Sequence, residues 1–251
     1  QPGVEFKNVS LTYSGSGASS VEGINFKAMK GQTIGVIGGT GSGKSSLVNL
    51  IPRLYDATQG EVLVDGVNVK DYDIEALRNK VGIVMQKAVL FKGTIRENMW
   101  MGKKGATDEQ IDEALEISQS KEFVDSKQGR LDYVIEQGGK NLSGGQRQRL
   151  TIARAIVRKP DVLILDDSAS ALDFATDAAL RKAIRGMNNS PTVFIVSQRA
   201  ASLMYADLII VLDDGQVAGM GTHDELLANC EVYKEIYESQ FKKADSEGGV
   251  A

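Results

Sequence analysis

Of the 251 residues, one is cysteine and one is histidine. A lone Cys230 cannot close a disulfide within the chain, so a reducing compartment is its natural setting. A lone His223 confines any imidazole chemistry to one position. No apolar run approaches the roughly 18 residues of a membrane span, and no signal peptide is visible. Positive charge is not in excess: Lys and Arg number 29 against 33 Asp and Glu, for a net charge of −4. The basic footprint of a nucleic-acid binder is therefore missing, and no nucleic-acid partner is expected. Internal repeats and coiled-coil heptads are also missing. What remains is 42% hydrophobic and 25% charged, enough for one large domain or two small ones. The chain opens Gln1-Pro2-Gly3 and its strand pattern starts at Val4, as expected of a domain cut from a longer protein.

The densest signal lies at 38–45, read as Gly38-Gly39-Thr40-Gly41-Ser42-Gly43-Lys44-Ser45 and followed by Ser46. It fits G-x-x-x-x-G-K-[ST], a phosphate-binding loop. Before it, 33–37 is a short apolar stretch that reads as a buried strand. After it, Leu47, Leu50, Ile51 and Leu54 fall on one helical face. The motif needs that strand–loop–helix context. Glycines let backbone N–H groups crowd a phosphate, and the helix N-terminus adds partial positive charge. Lys44 brings a full charge to the β and γ phosphates, and the Ser45 hydroxyl can ligate Mg²⁺.

Upstream, Val4, Phe6, Val9, Leu11 and Tyr13 alternate imperfectly, with a slip at Asn8 that predicts a bulge. A Gly/Ser loop covers 14–20, and Ile24, Phe26 and Ala28 alternate again. Asp65-Gly66 between two short apolar runs predicts a hairpin, so a small antiparallel sheet is expected beside the core. A strand over 81–85 ends at Gln86. From about 87 the pattern turns helical, with Thr107 and Gln110 as a capping box, and a helix over 146–157 is stopped by Pro160. Strands over 162–165, 193–196 and 208–212 follow, with Thr222 and Glu225 capping a last helix. The polar tail 242–251 is expected to be disordered. Strands alternating with helices predict an α/β fold with a mostly parallel sheet. The expected division of one 1–251 domain is a core of 1–86 and 160–240 and an inserted helical subdomain of 87–159.

Two further segments narrow the chemistry. The strand over 162–165 runs into Asp166, a carboxylate placed to hold Mg²⁺ on nucleotide phosphates. Leu142-Ser143-Gly144-Gly145-Gln146 opens a helix with a Ser and two Gly, a second anion site. Here the chain resembles the ATP-binding cassette (ABC) family, whose signature is this pentapeptide. The resemblance covers almost the whole chain. It implies a P-loop NTPase core that binds ATP and Mg²⁺ and dimerises with a second cassette, the signature of one meeting the γ-phosphate held by the other. Tyr13 matches the aromatic that stacks on adenine, although it also suits a core position in an edge strand. Gln86 matches the glutamine that touches Mg²⁺ and senses the γ-phosphate, so Ser45, Gln86 and Asp166 form the implied metal set. Ser170 and Asp173 match the D-loop at the dimer interface. Segments 90–98 and 221–226 are similar to exporter versions, in which the cassette follows six membrane helices. The implied setting is the cytoplasmic face of a cell membrane.

Two catalytic positions depart from the family pattern. Asp167 stands where the family places a Glu as general base, withdrawing the carboxylate by about 1.5 Å, one C–C bond. Displacements near 1 Å can cost on the order of 100-fold in rate. Gln198 stands where the family places a switch histidine. Gln137, before the signature, falls loosely where many exporters have Glu. The resemblance therefore implies the degenerate half of a heterodimeric exporter, whose intact signature completes the partner's hydrolytic site. The alternatives are an active Asp167 in a homodimeric exporter, a soluble ABC ATPase and an importer subunit.

Overall fold

The computed structural model of the chain describes residues 1–15, 17 and 20–247, and residues 243–247 by backbone alone. Two compact units emerge, one formed by Gln1–Arg78 with Thr192–Ala251 and the other by Asn79–Pro191. They divide the chain elsewhere than at 87 and 159, because the strands on either side of the inserted helices pair with each other.

The first unit begins with β1 (Pro2–Leu11), β2 (Val21–Met29), β3 (Thr33–Ile37), α1 (Lys44–Asn49), β4 (Gln59–Val64) and β5 (Val67–Asn68), with α2 (Ile74–Lys80) closing the segment. Strands β2-β1-β4-β5 form an antiparallel sheet in that order. Phe6 of β1 opposite Phe26 of β2 stacks at 4.5 Å between ring centroids. Asp65 and Gly66 join β4 to β5 with φ of 50° and 79°, the left-handed pair that a two-residue hairpin demands. The bulge at Asn8 is present, with φ 49° and a register shift between Phe6 and Val9. Its counterpart on β4 is Gly60, φ 76°, whose added Cβ would lie 2.2 Å from the Asn8 carbonyl oxygen.

The second unit holds β6 (Val81–Val84), β7 (Gly93–Thr94), α3 (Ile95–Trp100), α4 (Asp108–Ile117), α5 (Lys121–Asp125), β8 (Val134–Ile135), α6 (Gly144–Ile156), β9 (Val162–Asp166) and α7 (Phe174–Arg185). Parallel β6 and β9 pair from Val81↔Val162 to Val84↔Leu165, and all of β9 is buried. Burial on both faces explains why that strand reads as a continuous apolar run. Thr107 and Gln110 cap α4 reciprocally, as the sequence predicts, and Thr94 with Glu97 does the same for α3. Helix α6 and the turn after it bracket β6: Arg158, just past the helix, donates to the Val81 carbonyl at 2.7 Å, and Gln148 within it donates to that of Met85, just past the strand, at 3.4 Å.

The chain returns to the first unit with β10 (Thr192–Ser197), β11 (Leu208–Asp213), β12 (Gln216–Gly221), α8 (His223–Asn229) and α9 (Glu231–Glu247). Strands β10 and β11 flank β3 in parallel, and β12 adds an antiparallel edge to β11. Mixed parallel and antiparallel strands with packed helices make this an α/β fold, as expected. Among the described residues, no helix is long and apolar enough to cross a membrane.

Two expectations need correction. Helix α1 stops at Asn49, and Leu54 lies beyond it, half-exposed. Pro52 disfavours a helical residue before it, and Arg53 takes φ 58°. The tail expected to be disordered from 242 is helical through Glu247; residues 248–251 lie outside the described residues. Helix α9 is anchored by Tyr233, fully buried and hydrogen-bonded to His223 Nδ1 at 2.5 Å. Burial pushes the Tyr233 phenol up to about 12, so the group stays neutral and keeps its proton. Part of the 14–20 loop also lies outside the described residues.

Gly60→Ala meets two backbone carbonyls and a left-handed φ at once. It is expected to destabilise the first unit by about 3 kcal/mol, read from the urea midpoint. A loss below the ordinary surface range of about 0.5 kcal/mol would show that the bulge is not rigid.

Candidate functional site

The first unit carries the phosphate loop between buried β3 and α1. Gly41 and Gly43 take φ of 75° and 100°. Gly43 is the N-cap of α1, and its carbonyl accepts from the Leu47 N–H at 2.9 Å. A Cβ on Gly38 would sit 2.4 Å from Ser42 Oγ, and one on Gly43 2.7 Å from the Ser20 carbonyl, whereas Gly39 and Gly41 face open space. The loop is thus closed at its ends and open in its middle, the shape a phosphate cradle needs. Ser42 is tied to the β11–β12 turn, its carbonyl accepting from Gly215 N–H at 3.0 Å. The buried Ser42 Oγ has no hydrogen-bond partner among the described residues. The Lys44 ammonium lies over the loop, donating to the carbonyls of Gly38 at 2.6 Å and Gly39 at 2.8 Å. A cation fixed there, above open backbone, fits a nucleotide's phosphate chain.

Two more predicted residues meet this loop. Tyr13 hydrogen-bonds Ser46 Oγ through its hydroxyl at 2.7 Å. Its ring packs edge-on against Tyr55, centroids 4.8 Å apart. Sequence reasoning missed Tyr55, because no periodicity links it to Tyr13. Gln198, at the end of β10, donates from Nε2 to Thr40 Oγ1 at 3.3 Å.

The second unit carries the remaining residues. Asp166 ends β9 and is 9% exposed. Asp167 follows with φ 51°, a left-handed conformation in which Asp is enriched. Its carbonyl accepts from the Ser170 hydroxyl at 3.2 Å. Gln86 is exposed just past β6. At the signature, Leu142 is buried and Ser143 caps α6. Ser143 Oγ accepts from Gln146 N–H at 3.2 Å, and Gln146 Oε1 accepts from Ser143 N–H at 3.1 Å. Gly144 and Gly145 form the first turn, and a Cβ on Gly145 would come within 3.3 Å of the Ala171 carbonyl. The signature and the 170–173 loop are therefore neighbours. Asp173 caps α7, accepting from Thr176 N–H at 2.7 Å, a bond that holds its carboxyl below the usual range. Gln137 is exposed in a short 3-10 turn.

The family model described as ABC transporter matches residues 21–170, from within β2 to the segment after Asp167. This chain belongs to the ABC transporter family. The ATP-binding domains of that family hydrolyse ATP. The chain is 43% identical over 244 residues to the uncharacterized ABC transporter ATP-binding protein YfiB of Bacillus subtilis, covering 97% of this chain and 42% of YfiB. It is 40% identical over 240 residues to YgaD of the same organism, provisionally named a multidrug export ATP-binding/permease protein, covering 96% of this chain and 40% of YgaD. Among solved structures, a bacterial Atm1-family ABC exporter with ATP bound superposes with a TM-score of 0.89 at 32% identity, over 95% of this chain and 42% of that one. This ABC domain thus spans less than half the length of those relatives.

Tyr13→Ala is expected to weaken ATP binding by about 1 kcal/mol, the worth of an aromatic stack, while Tyr13→Trp preserves it. Titration with a fluorescent ATP analogue reads both. Equal losses would mean that the hydroxyl bond to Ser46 matters and the ring face does not.

Proposed function

We propose that this domain is one cassette of an ATP-driven exporter and that its own phosphate loop forms the slower of two nucleotide sites. The observation that carries the reading is a contrast: the α6 N-terminus at Ser143 is fully formed, while Asp167 sets a short carboxylate at the hydrolytic position. ATP sits with its phosphates on residues 38–46 and its adenine against Tyr13. Ser45 beside the loop offers a hydroxyl oxygen, which suits a hard cation and would serve Mg²⁺; Gln86 and Asp166, in the second unit, carry oxygen donors of the same kind. When bound, that ion neutralises charge on the β and γ oxygens. Asp167 brings to the hydrolytic position a carboxylate one methylene shorter than the Glu that the family places there. Gln198 can donate a hydrogen bond there, but a carboxamide takes no proton at neutral pH.

The signature serves the other nucleotide. Ser143 and the N–H groups of the Gly144–Gly145 turn face the γ-phosphate held by a second cassette, with Ser170 and Asp173 along the same interface. That second cassette belongs to a different half-transporter, which keeps Glu and His at the matching positions. Membrane-spanning domains precede this one in the full-length protein, so it works at the cytoplasmic face of the cell membrane. Support comes from YgaD's ATP-binding/permease name and from the share of YfiB that this domain leaves uncovered. A groove of about 240 Å³ in the second unit, lined by Phe91, Met101, Arg154 and Arg158, is available to such a domain. The carboxylate retained at 167 favours one second reading, a homodimeric exporter with two working sites.

Steady-state ATPase of the reconstituted pair separates the two. A general base is worth about 10²–10⁴-fold. Asp167→Asn should leave most of the activity, whereas Ser143→Arg, at the other nucleotide, should remove most of it. Silencing by Asp167→Asn together with indifference to Ser143→Arg would place hydrolysis at this domain's own loop.

A further inference from the structure

Gln240, in the middle of α9, reaches the loop after β10 with both polar atoms of its side chain. Its Oε1 accepts from the Ala200 N–H at 2.8 Å, and its Nε2 donates to the Gln198 carbonyl at 2.6 Å. Between them, the Arg199 N–H is taken by Ser197 Oγ at 3.0 Å. Positions 198, 199 and 200 therefore each have a backbone group held by a side chain. The same loop sends the Gln198 side chain to Thr40 in the phosphate loop. Helix α9 is itself fixed two turns earlier by Tyr233 and its bond to His223, so Gln240 is presented from an anchored element.

The choice of residue follows from chemistry. A primary carboxamide offers a donor and an acceptor on one plane, and can close on an N–H and a C=O together. A carboxylate there could satisfy Ala200 but would set oxygen against the Gln198 carbonyl. A peptide stretch left to itself after a strand would be free to sample other turns, and the Gln198 side chain would move with it.

We propose that Gln240 is a positioning residue: it fixes the backbone at 198–200 so that the Gln198 carboxamide meets Thr40 and the terminal phosphate of a bound nucleotide. This rests on the reading of residues 38–46 as the nucleotide site. The functional consequence is discrimination between ATP and ADP, since only ATP carries the phosphate that Gln198 faces. Helix α9 thereby becomes part of the nucleotide sensor although it touches no nucleotide.

The test uses the purified domain and two readouts. Amide hydrogen exchange at Ala200, without nucleotide, reports the latch itself. The ratio of ATP to ADP affinity reports its consequence. Gln240→Met should speed Ala200 exchange and reduce the ATP preference by about 5-fold, the equivalent of one net hydrogen bond, with ADP affinity unchanged. Gln240→Glu keeps a polar helix surface and the acceptor for Ala200, and should lose the preference as well. In a Gln198→Ala background, Gln240→Met should change the ratio no further. Equal weakening of ATP and ADP would mark a merely structural role and overturn the proposal, as would an effect that persists without the Gln198 side chain. If Gln198→Ala alone leaves the ratio unchanged, the proposal falls together with the reading of the site. If Gln198→Ala moves the ratio and Gln240→Met does not, the proposal falls alone.

Discussion

A phosphate-binding loop has to satisfy two opposed demands. Its amides must stay exposed to an anion, yet the backbone that carries them must not move. Here the ends are locked and the middle is left bare. Gly38 and Gly43 have no room for a Cβ, so only glycine fits at either end. Gly39 and Gly41 face open space, so the middle of the loop leaves room for an anion. The carbonyls of Gly38 and Gly39 take the Lys44 ammonium, which brings positive charge to the mouth while tying the loop to α1. Parallel strands on both sides of β3 then hold the loop's root. Tyr13, Gln198 and the turn at Gly215 are arranged around that fixed point.

The signature in the second unit solves a related problem by capping. A helix start has amides with no intrahelical acceptor. The reciprocal box spends those of Ser143 and Gln146. The amides of Gly144 and Gly145 belong to the same turn and carry no side chain to shield them. The nearness of Gly145 to the Ala171 carbonyl explains the second glycine, since a Cβ there would crowd the 170–173 loop. A charged side chain at 143 would therefore disturb both the cap and the surface it presents.

Local chemistry was legible in the sequence and long-range closure was not. The Asn8 bulge, the Asp65-Gly66 hairpin, the Thr107 box and the strand–loop–helix all follow from neighbours within a few residues. Each has a mechanism that acts over that distance. Helix α1 was read too long because apolar spacing continued past Pro52, where backbone sterics override periodicity. The last helix was read too short because residues after 242 are polar. Its register is set upstream, by Tyr233 and Gln240, whose partners lie on α8 and after β10. Tyr55 beside Tyr13 and Gln148 on Met85 are likewise contacts between segments with no shared pattern.

The two departures at 167 and 198 take on a physical meaning only with the backbone in view. Asp167 occupies a left-handed φ, where a short polar side chain is better tolerated than a longer one. The shorter acid, at the position where the family places Glu, is thus also the one suited to the local conformation. Gln198 loses the proton-accepting ability of an imidazole but keeps a donor, and that donor is aimed at Thr40 by a loop clamped at both ends. On the proposed reading, a loop that grips a nucleotide while the carboxylate at 167 is set back would bind ATP and hold it. Binding and turnover are separable demands, and the proposed asymmetry rests on that separation: it assigns the loop residues 38–46 to the first and sets the short Asp167 and the carboxamide of Gln198 against the second.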